Sequence, residues 1–193
     1  MSNLFPEFTN HLRRFIKLDD DELKAVLSFM RPLSVKKKSF LLNEGQICRS
    51  NFFTEKGCLR MLFIDAKGVE QTTQFAIEHW WLADYMSFTN QSPAQFSIQA
   101  VEHSEVLALD YDLQEKLLAA VPQMEQYFRI VFQKAVAASQ LRMMYTNDLS
   151  REDMYRFFVR SFPEFVQRIP QYMLASYLGF TPEYLSELRR KIA

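Results

Sequence analysis

The sequence predicts an α+β protein: N-terminal helices, an antiparallel β-roll, one long helix and a small all-α domain at the C-terminus. Three observations predict it. Between residues 33 and 110, short apolar or alternating segments are separated by turn-like pieces, the pattern of an all-β barrel or roll. After Asp112 the periodicity becomes helical, and an apolar seam runs from Met124 to Tyr145. The last stretch, LASYLGFTPEYLSELRRK at residues 174–191, has the spacing of two short helices packed across a glycine turn.

Composition sets the frame for these elements. With 193 residues the chain can bury one sizeable core or two modest ones. Apolar residues at 48% and charged residues at 24% are the balance of a soluble globular protein, and 18 Phe favour large packed cores. Only 4 Gly argue against a glycine-lined nucleotide fold. The formal net charge is zero, so any case for nucleic acid must be local. Cys48 and Cys58 stand far from any His-rich stretch. They could oppose each other across a hairpin, but two free buried thiols in a reducing compartment are expected. The N-terminal MSNLFPEFTNHLRRF lacks the layout of a signal peptide, and no run is long enough to cross a membrane. A cytoplasmic protein without a membrane partner is therefore expected.

Taken in order, residues 4–30 read as helical. Asp19 is an N-cap with Glu22 as its capping-box partner, and Leu18 can staple onto Leu23. Leu23, Val26, Leu27 and Met30 recur at helical spacing, and Pro32 stops the helix. The segments FLLNEGQI, RSNFFTEKG, CLRMLFIDAKG, VEQTTQFAI, FSIQAV and EVLALD then read as strands. Asp65-Ala66-Lys67-Gly68 is a hairpin turn joining strands around 61–64 and 71–75. Leu113, Leu117 and Leu118 mark a short helix, and Pro122 opens the long one, which runs to about Tyr145.

Along that long helix Met124, Phe128, Val131, Ala135, Ala138, Arg142 and Tyr145 alternate steps of four and three, with small residues at the centre. Phe128, Val131, Ala135, Ala138 and Arg142 are the expected seam of a homodimer; the alternative is a helix packed on its own β domain. Thr146-Asn147-Asp148 should break the helix, Ser150 should cap the next with Asp153 as partner, and Pro163 should end that one. The expected domains are 1–121 (helices and roll), 122–146 (dimerisation helix) and 147–193 (helix-turn-helix).

The terminal pair is constrained by packing. Ala175 is the small residue at the helix crossing, Gly179 opens the turn, and Leu174, Leu178, Phe180, Leu185 and Leu188 fill the apolar positions. Thr181 is an N-cap and Pro182 takes the first helical position. An ordinary helical hairpin is the alternative to a DNA-reading motif. In a DNA reader, Gln171, Tyr172, Ser186, Arg189, Arg190 and Lys191 would meet phosphates, while Thr181, Glu183, Tyr184 and Glu187 would meet base edges. Glu183 can accept from a cytosine amino group. Residues 147–193 hold seven Arg/Lys against six Asp/Glu, a net of +1, so each subunit should hold DNA weakly. Dimerisation would double the contacts.

The order helix, β-roll, long helix, helix-turn-helix resembles the Crp/Fnr superfamily of bacterial transcription regulators over essentially the whole chain. The residues that carry the resemblance are FLLNEGQICRSNFFTEKGCLRM, with Glu44-Gly45 and Gly57, then FSIQAVEHSEVLALD, then the terminal unit. It implies a cyclic-nucleotide-binding-like sensor roll, a homodimer along the long helix, and binding of double-stranded DNA at a two-fold symmetric site.

Members that bind cyclic nucleotides carry a Gly-Glu pair and a downstream Arg in a phosphate-binding cassette. The Glu takes the ribose hydroxyl, and the Arg and backbone amides neutralise the phosphate. Here the stretch is HWWLADYMSFTNQSPAQFSIQAV. Ala83-Asp84 falls near the Gly-Glu position and Ala94 or Gln95 near the Arg, and residues 68–101 contain no Arg or Lys. Cyclic AMP and cyclic GMP are therefore not expected as effectors. Trp81, Ala83, Asp84, Tyr85, Phe88, Ala94 and Phe96, with Trp80 beside them, fit a cavity for another, unidentified small molecule and fit a plugged pocket equally well.

No Cys precedes Cys48, so an N-terminal iron–sulfur cluster is not expected, and neither haem, metal nor any other cofactor is suggested. The sequence stops at Ala193, so no wing is expected after the second helix of the pair. Pro182 and Glu187 stand where relatives often carry arginines, so the family's base-reading code does not carry over. An enzyme is not expected: there is no Gly-rich phosphate loop, metal-ligand spacing or nucleophile–base signature, and His11, His79 and His103 sit in ordinary contexts. The leading expectation is a homodimeric transcription regulator; the alternative is a protein-interaction module using the same fold without ligand or DNA.

Overall fold

The computed structural model describes residues 5–192. Helices α1 (Pro6–Arg13) and α2 (Asp20–Ser28) lead into strands β1 (Met30–Val35), β2 (Phe40–Leu42), β3 (Ser50–Lys56), β4 (Leu59–Ile64), β5 (Glu70–Ala76) and β6 (Trp81–Leu82). Helix α3 (Tyr85–Asn90) precedes β7 (Ser97–Ala100) and β8 (Ser104–Asp110). Helices α4 (Tyr111–Ala120), α5 (Gln123–Asp148), α6 (Arg151–Ser161), α7 (Pro163–Arg168), α8 (Gln171–Leu178) and α9 (Pro182–Ile192) complete the described chain. Contacts divide it into two compact units: the chain up to Phe63 with Thr73–Val131, and Ile64–Thr72 with the chain from Phe132 onward. Helix α5 thus begins in the first unit and ends in the second.

In the first unit the strands form two four-stranded sheets, ordered β1-β8-β3-β6 and β2-β7-β4-β5. Strand β8 lies between β1 and β3 and pairs antiparallel with both. Successive side chains of a strand face opposite ways, and both faces of this sheet are covered. Phe52 and Ala108 enter the roll with Leu42, Cys48, Leu59, Leu82, Phe88 and Ile98. Their neighbours Phe53, Leu107 and Leu109 enter a second cluster with Phe8 and Leu12 of α1, Val26 of α2, Leu117 of α4, and Met124, Tyr127 and Phe128 of α5. That double coverage explains why six consecutive residues of β3 are buried.

Polar anchors position the helices on the sheet. Glu55 of β3 accepts the backbone N–H groups of Glu7 and Phe8 at the start of α1, at 2.8 and 2.9 Å. Burial pushes the Glu55 carboxyl above its ordinary pKa, against the pull of those two donors. The buried Trp81 indole donates to the Tyr127 hydroxyl at 2.9 Å, and that oxygen lies 2.8 Å from His11 Nδ1. Because an indole can only donate, the hydroxyl accepts from Trp81, and the direction of its bond with His11 follows the imidazole tautomer.

The helical stretch expected at 4–30 is two helices. The capping box of Asp19 and Glu22 is present, and both Leu18 and Leu23 rest on the second cluster. Leu4 lies outside the described residues. Met30 opens β1 instead of closing a helix, and Pro32 lies inside that strand. Since β1 is the outer strand of its sheet, a missing N–H is tolerated there. Gly57 has φ +107°, and a Cβ there would meet the Ser104 hydroxyl at 2.3 Å, so the β3–β4 turn admits no larger residue without a shift. Cys48 and Cys58 are free and buried, and burial raises the pKa of the Cys48 thiol.

In the second unit α6–α9 enclose a small core of Tyr155, Ile169, Met173, Leu174, Ala175, Phe180, Leu185 and Leu188. Helix α5 does not break at Thr146 but continues to Asp148; the Thr146 hydroxyl donates to the Arg142 carbonyl inside the helix, so it satisfies itself without ending it. Ser150 caps α6, accepting from Asp153 N–H, and Pro163 opens α7. The Asp65 carboxylate closes the β4–β5 turn by accepting from the N–H groups of Lys67 and Val69, with Gly68 at φ +78°.

Candidate nucleic-acid interface and effector region

Local sequence builds the pair α8–α9 as the spacing predicts. Gly179 ends α8 in the left-handed region, at φ +73°, and the Phe180 N–H reaches back to the Ala175 carbonyl at 2.8 Å. The Thr181 hydroxyl accepts the Tyr184 N–H at 3.2 Å, and Pro182 follows at the first helical position. Leu174 and Ala175 of α8 are buried, as are Leu185 and Leu188 of α9. Glu183 in the first turn and Arg189, Arg190 and Lys191 in the last match the helix dipole, a stabilising role independent of any ligand.

The candidate contact residues emerge on the surface. Gln171, Tyr172, Thr181, Glu183, Ser186, Glu187, Arg189, Arg190 and Lys191 are all exposed. Glu183, Ser186 or Glu187, and Arg190 follow one another at helical spacing along the outer face of α9. Two candidates have other work: Thr181 spends its hydroxyl on the cap, and the half-buried Tyr184 ring packs edge-on against Phe180 with the Arg151 guanidinium 5.6 Å from its centre.

Four contacts on α8 had no sequence signal. Arg142 of α5 lies 3.9 Å over the Tyr177 ring and donates to the Tyr177 carbonyl at 3.0 Å. The Ser176 hydroxyl accepts from Thr72 N–H at 2.8 Å and donates to the Glu70 carbonyl at 3.1 Å, tying the tip of the β4–β5 hairpin to α8. Arg142, expected in the dimer seam, is thus an anchor for α8.

The rest of that seam divides. Phe128 is buried and rests against Trp81, and Val131 packs on the same cluster, so both serve the intrachain core. Ala135 and Ala138 are exposed. Larger apolar side chains stand open one position along: Phe132, Val136 (57% exposed) and Met143 (67% exposed), with Leu141 and Met144 beside them. Residues 132, 136, 139 and 143 repeat the steps of four, three and four, which the sequence offered as readily as the seam beginning at Phe128.

The effector-region candidates fall in different packing environments. Trp81 belongs to the α1–α5 cluster, while Ala83, Phe88 and Ala94 are packed into the roll's own core. Tyr85 is partly exposed and its hydroxyl donates to Asn51, Phe96 packs edge-on against Phe63, and Trp80 lies on the surface. Asp84 is buried as the N-cap of α3. Two clefts lie elsewhere, at the β2–β3 connection: one of about 460 Å³ lined by Leu41, Gln46, Ile47 and Arg49, and one of about 210 Å³ at Arg31, Arg49 and Asp110. Beside the second, Arg31 donates to Asp110 at 2.7 and 3.1 Å.

The chain thus runs from a roll of two antiparallel sheets through a long helix to a glycine-turned helix pair. Residues 32–120 match the cyclic nucleotide-binding domain family. Among solved structures, FixK2 from Bradyrhizobium japonicum is similar at 12% identity over 84% of each chain, with a TM-score of 0.72. The c-di-GMP-responsive global regulator CLP of Xanthomonas campestris is similar at 11% identity over 90% of this chain and 91% of that one, TM-score 0.71. The catabolite activator protein of Thermus thermophilus is similar at 17% identity over 94% of this chain and 86% of that one, TM-score 0.57. No curated protein sequence matches the chain. At these identities the likeness is one of fold. No helix among the described residues is long and apolar enough to cross a membrane.

Proposed function

We propose that the chain is a homodimeric, DNA-binding transcription regulator whose roll does not answer to cyclic AMP or cyclic GMP. The observation that carries DNA binding is the α8–α9 pair, whose turn, cap and core all serve to present one exposed face of α9. Two Glu residues on that face and a net charge of only +1 make each subunit a weak binder, so affinity depends on two copies acting together. Support for the dimer comes from α5, where each of residues 132–144 is exposed and the stretch carries Phe132, Val136, Leu141, Met143 and Met144. A helix that apolar and that open gains by pairing with a second copy.

Selection from a random duplex library at two salt concentrations tests the proposal. Enrichment of a two-fold symmetric site, weakening steeply with salt, is the expected result. The exposed Glu183 and Glu187 favour a second reading, a module whose α9 face binds a protein. That reading calls for no enrichment, and for a complex whose affinity hardly changes with salt if its interface is apolar. Glu187→Arg should raise affinity for DNA of any sequence under the first reading.

A further inference from the structure

At the β2–β3 connection two clefts adjoin, with Arg49 and Ser50 lining both. The larger, of about 460 Å³, has the size of a small-molecule site. Leu42, Cys48 and Phe52 form its floor, each no more than 5% exposed and each part of the roll's core cluster. Leu41 and Ile47, partly buried, add apolar wall. Burial raises the pKa of the Cys48 thiol, which donates to the Ser50 carbonyl, so the sulfur is a neutral part of that floor and a poor nucleophile.

The polar groups around the two clefts are of two kinds. Arg31 donates to both carboxylate oxygens of Asp110 and to the Ser50 hydroxyl, and Ser50 donates to Asp110 in turn. That group is closed on itself. Arg49, by contrast, is exposed and makes no side-chain hydrogen bond or ion pair with any described residue. The Gln46 side chain accepts the Asn43 N–H through its oxygen at 3.0 Å, which leaves its amide hydrogens to donate elsewhere. An apolar floor thus lies beside one uncommitted guanidinium and one uncommitted amide.

We infer that this cleft is a binding site for a small organic carboxylate, whose apolar body rests on Leu42, Cys48 and Phe52 and whose anionic head meets Arg49 with the Gln46 amide beside it. A planar guanidinium matches a carboxylate through two parallel N–H···O bonds. A phosphate group fits less well. It carries more than one charge, the larger cleft offers it a single cation, and the Asp110 carboxylate stands beside Ser50 in the adjoining cleft. The site lies wholly within the first unit, so the inference goes beyond the proposed DNA binding and does not depend on it.

The test uses the full chain, with hexanoate, hexanamide, butanoate and inorganic phosphate as probes. Hexanoate should bind with a Kd of about 1 mM or tighter, shift the amide resonances of residues 41–52 in nuclear magnetic resonance spectra, and raise the Tm when in excess. Hexanamide keeps the body without the charge, and butanoate keeps the charge on a shorter body; each should bind about tenfold weaker, as should phosphate. Arg49→Gln alters an exposed side chain, so the Tm without probe should not change. It should weaken hexanoate about tenfold and leave hexanamide as it was, while Arg49→Lys, which keeps the charge and loses the fork, should fall between. Hexanoate leaving residues 41–52 unmoved would overturn the inference. So would hexanamide or phosphate binding as tightly as hexanoate, or hexanoate binding undiminished by Arg49→Gln.

Discussion

The two halves of α5 carry similar apolar content and end in opposite circumstances. From Met124 to Phe128 the helix is locked into the cluster under the roll, with Tyr127 fully buried and its hydroxyl bonded to Trp81 and His11. From 132 to 144 every residue is exposed, Val136 and Met143 more than half. The first half belongs to the core under the roll; the second half leaves its apolar side chains exposed. If the proposed dimer forms through the exposed half, a substitution should report on folding or on association according to its position.

The largest expected effect is in the buried half. Tyr127→Ala removes a fully buried ring and should cost about 3–5 kcal/mol in urea unfolding. Tyr127→Phe isolates the hydroxyl: it leaves the Trp81 N–H without that acceptor and should cost about 1–3 kcal/mol. In the exposed half, Val136→Glu should change unfolding free energy of the subunit by no more than about 0.5 kcal/mol, while the sedimentation mass falls from dimer to monomer. If Val136→Glu leaves the mass unchanged, the open stripe is not the interface and the division of labour fails.

Smaller effects sharpen the boundary between the halves. Glu22, the capping-box partner of Asp19, also accepts from the Gln123 side chain at the start of α5. Glu22→Ala should cost about 1 kcal/mol and leave association unchanged, as checked by unfolding and sedimentation together. Smallest is a pH effect at Asp110. Burial raises its pKa, but hydrogen bonds from Arg31 and Ser50 and the Arg31 charge outweigh that and hold the carboxyl below its ordinary value. A depressed folded-state pKa stabilises above the unfolded value, near 3.9. That contribution is lost as pH falls through the folded value. With both partners substantially exposed, screening limits it to less than about 1 kcal/mol, so Asp110→Asn should flatten only the acid limb of stability against pH.

Much of this architecture was legible because local chemistry and global fold agree. The capping box at Asp19, the hairpin turn at Asp65 and the glycine turn at Gly179 each need particular residues at fixed offsets, and all three form. Periodicity was less decisive where two seams share one helix. Phe128 and Phe132 both start an alternation of fours and threes, and only the presence of Trp81 and Phe8 under Phe128 separates them. Pro32 read as a helix stop because sequence does not reveal that β1 is an outer strand. The effector region was the least legible part. Its aromatic content fitted cavity or plug, and the packing of Ala83, Phe88 and Ala94 into the roll's core depends on long-range contacts that composition does not encode.

The α1 anchor has a consequence for how the chain is made. Phe8, Leu12 and His11 find their partners at Leu117, Met124 and Tyr127, the last of them 116 residues downstream of His11. At typical rates of synthesis that separation is on the order of ten seconds. During that interval the apolar face of the first helix has nothing native from α4 or α5 to rest on. Until α4 and α5 emerge, that face can pack only on earlier residues of its cluster, such as Phe53 and Trp81.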